Sequence, residues 1–151
     1  MRHEALDEHQ LALVTEAART GAAEHDRDGS FPGDALDALA RIGLVGHPPL
    51  EAAGIHRLLR DLAAVGRGDL STGRIFEGHC NALFLIRRFG SEAQRAHYGG
   101  IAAAGGLFGV WNTDAPGEPL RLDGRVLQGK KNFATGVDGL SYGLVTVEEA
   151  E

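Results

Sequence analysis

Trp111, Asn112 and Thr113 stand together in the sequence, and about twenty residues later Phe133, Ala134 and Thr135 repeat an aromatic ring beside a threonine. Trp111 and Phe133 offer flat apolar faces, and the two threonines offer hydroxyls that donate or accept. That set suits a planar heterocycle, stacked on one side and hydrogen-bonded at its edge. Gly129 and Gly136 flank the second triplet, where a missing Cβ lets backbone approach a ligand. An ordinary β core with two aromatic residues accounts for the same letters, and residue types alone favour that plainer reading.

Other chemistry-bearing residues point nowhere specific. GRVLQGKK at 124–131 nearly spells a phosphate-binding loop, but Lys131 stands where a Ser or Thr should hold magnesium. Such a loop also links a strand to a helix, whereas this run is the second arm of a hairpin. No GxGxxG occurs, so a Rossmann dinucleotide site has no support. The seven histidines show no HExxH or paired-ligand spacing, and one cysteine cannot build a zinc cluster, so no metal site is expected. His79 and Cys80 are helix neighbours whose side chains diverge by about 100°, too far for a nucleophile–base pair. His79 lies on an apolar stripe and reads as a hydrogen-bonded core histidine. Arg67-Gly68-Asp69 reads as the turn between two helices. Most carboxylates lie in EHDRD or on polar helix faces, and Glu77, beside an apolar stripe, reads as packing or a salt bridge. No residue is assigned a catalytic role.

The elements that must position these residues change character along the chain. Five helices are expected in the first two-thirds. The first spans 4–20, with Leu6, Leu11, Leu13, Val14, Ala17 and Ala18 as its stripe and Gly21 as its stop. A polar loop, EHDRDGS, follows. Pro32 and Asp34 open a second helix with Leu36, Leu39, Ala40 and Leu44. GHPPL at 46–50 interrupts, since neither proline continues a helix. Ile55, Leu58, Leu59 and Leu62 then mark one buried face of a third helix ended by Gly66. Ser71 or Thr72 caps the fourth, whose stripe is Ile75, Phe76, His79, Leu83 and Ile86 and whose left-handed stop is Gly90. Ser91 with Gln94 forms a capping box for the fifth, which runs to about Gly105. Short connections between them make bundle material.

Beyond Gly105 the period shortens. LFGVWNT reads as a strand, PLRL-DG-RVLQ as a hairpin with Asp123-Gly124 in a type I′ turn, and KNFAT and YGLVTV as two more extended runs. The expected fold class is α+β: an all-α bundle over 1–105, then the first strands of an incomplete β-barrel over 106–151. Four short strands cannot close a barrel, and an apolar edge at 144–147 invites mispairing. Either another chain covers it or the sequence is the front part of a longer protein, which is the favoured expectation.

Composition bounds the rest. At 151 residues, 43% apolar and 24% charged, the chain suits a soluble domain, or a domain with a fragment of a second. Its net charge of -6 argues against a nucleic-acid partner. The charged opening MRHEALDEHQ is no secretory signal, NALFLI is far too short to span a membrane, and the single Cys80 fits the cytoplasm. The 22 glycines, about twice the usual ~7%, follow no collagen-like period.

The order of pieces resembles the acyl-CoA dehydrogenase family. FPGDALDALARIGLVG is similar to its early proline-started helix that ends in a Gly-Leu-x-Gly turn. RRFGSEAQRAHYGGIAAAGGLFGVWNTD is similar to its Phe-Gly-Ser helix start, its tyrosine and its strand ending in Thr-Glu. LDGRVLQGKKNFATG is similar to the stretch that ends in an aromatic, a small residue and a threonine beside the flavin. The resemblance runs over essentially the whole chain but covers less than half of the family's usual length. It implies FAD as cofactor, with Thr113 at the pyrimidine side of the ring and Trp111 and Asn112 on the same strand. It places Phe133, with Ala134 after it, against the isoalloxazine, and Thr135 near the nitrogen that accepts hydride.

The implied reaction is α,β-dehydrogenation of an acyl-CoA or similar thioester, as in fatty acid metabolism. A homo-oligomer, dimer or tetramer, or a partner chain completing the barrel is implied with it. The family's catalytic glutamate belongs to a C-terminal domain, so the chain alone is expected not to turn over. Asp114 departs from the family's glutamate, and APGEPLRL replaces its Ala-Gly-Ser-Asp run. The loss of that run fits equally a flavin-dependent monooxygenase on the same scaffold, of a kind that lacks the catalytic glutamate. A non-catalytic assembly module is the reading from a different class.

Overall fold

A computed structural model describes residues 6–149, and residues 4 and 5 of the expected first helix lie outside them. Six α-helices precede five short strands among the described residues. α1 (Glu8–Arg19) starts where Asp7 and Gln10 satisfy each other's backbone N–H groups in a capping box. It buries Leu11, Val14 and Ala18, spaced along one helix face.

The EHDRDGS segment, expected as a loop, is mostly helical: α2 spans Ala22–Asp28. Gly21 and Gly29 frame it in the left-handed region at φ 70° and 66°. It buries no residue, so it left no apolar period to read. α3 (Gly33–Arg41) follows Pro32 and ends in a Schellman motif. There the N–H of Gly43 (φ 81°) reaches the Ala40 carbonyl at 2.9 Å and that of Leu44 reaches Leu39 at 3.1 Å.

After GHPPL and a 3-10 turn at Ala52–Gly54, α4 runs over Ile55–Gly68, two residues past the expected stop at Gly66. Its buried face also differs from the expected one. Asp61, Ala64 and Val65 are buried, Leu58 and Leu62 half-buried, and Ile55 and Leu59 exposed. Small residues let α1 approach closely, so the seam runs along them and the larger side chains fall at its margin.

α5 (Leu70–Phe89) is capped by Asp69, two or three residues earlier than Ser71 or Thr72 would place it. The Asp69 carboxylate accepts from the N–H and hydroxyl of Thr72 at 2.6 and 2.7 Å. Gly90 ends it in extended backbone (φ -68°) and not in a left-handed turn. Glycine suits that site because a Cβ would lie 2.5 Å from the Ile86 carbonyl oxygen. α6 (Glu92–Ala103) carries the expected Ser91–Gln94 capping box.

α5 is the spine of the fold. One core cluster joins it to α1, α3 and α4 through Val14, Leu36, Leu39, Val65 and Phe76. A second, around Leu83, Ile86, Ala102 and Phe108, joins it to α6 and to β1 (Phe108–Trp111). β2 (Arg121–Asp123) and β3 (Val126–Gln128) form the expected hairpin, pairing Asp123 with Val126. The turn is therefore Gly124-Arg125, with Gly124 at φ 58°. Phe133 is the sole non-glycine with positive φ among the described residues, so Arg125 is not left-handed and the turn has the II′ pattern instead of I′.

KNFAT, expected as a strand, forms a single bridge from Lys131 to Asp114, and Phe133 at φ 57° then breaks the extended run. β4 (Tyr142–Val145) pairs in parallel with β1, while β5 (Glu148–Glu149) pairs in parallel with β2. Neither small sheet closes.

Candidate functional site

The two aromatic–threonine triplets converge at the end of the β1–β4 sheet. The indole Nε1–H of Trp111 donates to the Thr135 carbonyl at 3.2 Å, and the Asn132 N–H donates to the Thr113 carbonyl at 2.8 Å. The two rings have different fates. Gly109 and Gly143 face each other in the parallel register, and the Trp111 indole lies across both. A Cβ on Gly143 would come within 2.5 Å of that ring, and one on Gly109 within 3.2 Å of its Nε1. Trp111 is thus half-buried as the cover of its own sheet.

Phe133 does the opposite. The residue is 81% exposed, on backbone in the left-handed region, where a bulky residue costs roughly 1–2 kcal/mol. Asn112 and Thr113 are exposed, while Ala134 and Thr135 are half-buried. Among the described residues no protein group takes the hydroxyl of Thr113 or of Thr135. A cleft of about 420 Å³ opens beside Thr135, walled by Phe31, Ser71, Arg74, Ile75 and Asp138.

The flanking glycines serve the chain's own packing. A Cβ on Gly129 (φ 121°) would overlap the Pro119 carbonyl and lie 2.8 Å from the Leu120 Cα. One on Gly136 (φ 77°) would press on Leu140 and Ile75 at 3.3 and 3.4 Å. Gly136 also lines the cleft beside Thr135.

A clamp missed by sequence reasoning sets the spacing of the triplets. The Lys131 Nζ, with its side chain 6% exposed, lies 2.6 Å from Asp114 Oδ1, 3.0 Å from the Thr146 hydroxyl and 3.4 Å from the Asn112 carbonyl. Asp114 Oδ1 also accepts the Leu120 N–H at 3.0 Å. Lys131, which stands in the Ser/Thr place of the phosphate-loop pattern, is engaged here, while Lys130, in the lysine place, pairs with Glu118 at 2.9 Å. Hydrogen bonds from Lys131 and then from Leu120 hold the Asp114 carboxyl below the ordinary carboxylate range. A lowered folded pKa means stability that is present above the unfolded value of about 3.9 and lost as pH falls through the folded one. Asp114→Asn is expected to speed amide hydrogen exchange at Leu120 and Asn132 and to remove that acid-dependent step. Unchanged exchange at both amides would show the clamp to be idle.

The remaining candidates are structural. The His79 Nε2 lies 2.9 Å from the Val45 carbonyl, and the Phe108 N–H donates to its Nδ1 at 3.2 Å, a pattern met by the neutral Nε2–H tautomer. Burial lowers its pKa, opposed by the bond to Val45. Cys80 is buried, and that burial pushes its thiol far up, with the charges of Glu77 and Asp61 adding to the shift. Glu77 pairs with Arg74 and accepts from Asn81. Arg67 and Gly68 close α4, and Asp69 caps α5. No group of three His, Cys, Asp or Glu among the described residues is placed to hold a metal.

The Trp111 cover was the more readable of the missed features. Gly109 and Trp111 are two apart, hence on one face of a strand. The partner glycine needed the parallel pairing to be known.

Comparison with known proteins gives a family match and a fold match. The family model described as "Acyl-CoA dehydrogenase, N-terminal domain" matches residues 2–106. No curated protein gives a significant match. KijD3 in complex with dTDP is similar at 27% identity and a TM-score of 0.67, over 93% of this chain and 40% of its own. KijD3 in complex with FMN and dTDP-3-amino-2,3,6-trideoxy-4-keto-3-methyl-D-glucose is similar at 27% identity and a TM-score of 0.67, over 94% and 39%. The nitrososynthase from Micromonospora carbonacea var. africana, at 19% identity and a TM-score of 0.67, shares the fold over 97% of this chain and 44% of its own. The chain spans about 40% of the length of these solved relatives.

Proposed function

The chain belongs to the acyl-CoA dehydrogenase N-terminal domain family, and from that premise we propose that it forms one side of the flavin site of a flavin-dependent oxidoreductase. The helical part is 1–105 and the β part 106–151. The carrying observation is the convergence of the two triplets with one ring, Phe133, left open and two threonine hydroxyls unclaimed beside it. These residues fit a flavin: the strained, outward Phe133 offers an apolar face, and Thr113 and Thr135 offer edge groups. Trp111 positions Thr135 through its indole N–H, Asn112 anchors the Lys131 clamp through its carbonyl, and Ala134 keeps the turn between ring and hydroxyl narrow. A bound flavin, FAD or FMN, would supply the electron-accepting ring. Nothing in the chain is assigned as a proton-abstracting base.

Two substrates are open to this scaffold. Acyl thioester dehydrogenation is supported by the family match over residues 2–106. A nucleotide-linked sugar is supported by the 27% likeness to KijD3 bound to FMN and a dTDP-sugar, and by the missing Ala-Gly-Ser-Asp run. The change in the visible spectrum of the bound flavin separates them, read on the flavin-loaded chain, or that chain with whatever supplies the rest of the site, as an acyl-CoA or dTDP is added.

The flavin reading is tested by quenching of FMN and FAD fluorescence. Phe133→Gly is expected to weaken flavin binding about tenfold, because a stacked aromatic contributes about 1–3 kcal/mol. Stability should stay within about 1 kcal/mol, since glycine tolerates the left-handed backbone. Equal quenching by wild type and variant would remove Phe133 from the site.

A further inference from the structure

Apart from the two triplets, the loop at 46–54 and helices α4, α5 and α6 line a half-open cavity of about 790 Å³. It shares no lining residue with the Trp111–Phe133 group. Three guanidinium groups from three helices line it: Arg57 of α4, Arg87 of α5 and Arg95 of α6, with His47 from the loop. One carboxylate, Glu51, lines it too. In a chain of net charge -6 this is a local excess of positive charge. The floor is apolar, with Leu50, Leu83 and Ile86.

The cations are held in different ways. Arg57 is mostly buried, and its Nε lies 3.7 Å from Oδ2 of Asp61, one turn along α4 and 1% exposed. That pairing ties the side chain from behind. Arg95 donates from Nη1 to the Gly90 carbonyl at 2.5 Å, which fixes its stem and leaves the rest of the fork for other acceptors. Arg87 meets Glu51 at 3.5 Å, the outer range of a hydrogen bond, with both side chains more than half exposed. At Gly46 the loop packs closely against α6, where a Cβ would lie 3.3 Å from the Ala103 Cα.

We propose that this cavity binds a phosphate-bearing anion, gripped by Arg87 and Arg95 above the fixed charge of Arg57. Guanidinium forks match phosphate oxygens in pairs, which separates this chemistry from a single point charge. The volume admits a diphosphate ester whose organic body rests on Leu50, Leu83 and Ile86. Glu51 is the competitor: an incoming anion takes its place on Arg87.

The test is calorimetric titration of the whole chain with inorganic pyrophosphate, at fixed chloride concentration, with dTDP as a second probe. Wild type is expected to bind both. Arg87→Ala with Arg95→Ala, two exposed positions that leave the core intact, should raise the dissociation constant about tenfold or more. Glu51→Gln should lower it about two- to threefold, a gain that a merely structural role for these residues would not produce. Tighter binding of dTDP than of pyrophosphate assigns the site to a phosphate ester, and equal binding assigns it to a free anion. Absence of pyrophosphate binding overturns the proposal, as does equal affinity in wild type and the double variant. The site does not rest on the flavin reading, and flavin quenching measured on the same samples keeps the two outcomes apart.

Discussion

Replacing His79 with alanine is expected to cost about 3–5 kcal/mol of stability, read as a lower urea midpoint for loss of helical circular dichroism. The side chain is fully buried and ties three distant parts of the chain: α5, the Val45 carbonyl after α3, and the Phe108 N–H that opens β1. Alanine leaves a cavity among Phe76 and Phe108, whose rings lie 6.4 and 5.8 Å from the imidazole. It also strands a buried carbonyl and a buried N–H, each costing about 1–3 kcal/mol when unsatisfied.

A pH signature accompanies the loss. Burial holds the folded imidazole below its ordinary value, so the unfolded chain takes up a proton near pH 6.5 that the folded chain refuses. The contribution of His79 is therefore complete above about pH 6.5 and declines as the solution is acidified from there toward the lowered folded pKa. Stability of wild type should fall more steeply than that of His79→Ala below pH 6.5. Parallel pH curves, or a loss under about 1 kcal/mol, would contradict this account.

Gly68→Ala is expected to cost about 3 kcal/mol, although alanine is the better helix former. Gly68 closes α4 at a close approach to α1. An added Cβ would overlap the Thr15 carbonyl oxygen and lie 2.7 Å from the Ala18 Cβ and 3.0 Å from the Arg19 nitrogen. Backbone and a Cβ have no rotamer by which to swing away, so the helices must separate. The Thr15 hydroxyl, which reaches the Ala64 carbonyl at 3.0 Å as well as Leu11 of its own helix at 3.1 Å, would lose the bond across the seam as they do. Gly100 of α6 has nothing within 4 Å of its Cβ position, and Gly100→Ala should stabilise by up to about 1 kcal/mol. Thermal denaturation of the two variants beside wild type checks both signs, and equal shifts would refute the close-approach explanation.

Much of the helical framework was legible because its signals are local. A capping box needs residues three apart, as in Ser91 with Gln94, and an apolar face needs only a few turns. The α+β class followed from the change of period near residue 105. Misreadings came where no burial pattern exists or where a neighbour decides. α2 buries nothing, and the exposed Ile55 and Leu59 look as apolar on paper as the half-buried Leu58 and Leu62. The strand expected at KNFAT failed because the clamp on Lys131 and the left-handed Phe133 turn the chain.

The sequence by itself determined most helices, the β2–β3 hairpin and the pair of aromatic–threonine triplets, since each is written in residues within a turn or two of one another. Only the tertiary structure decided that β1 lies parallel to β4, that the Trp111 ring covers Gly109 and Gly143, and that Phe133 is the ring left open. It alone gathered Arg57, Arg87 and Arg95 around one cavity. Those relations join residues about thirty to forty positions apart, where chain connectivity sets no distance and packing selects the partners.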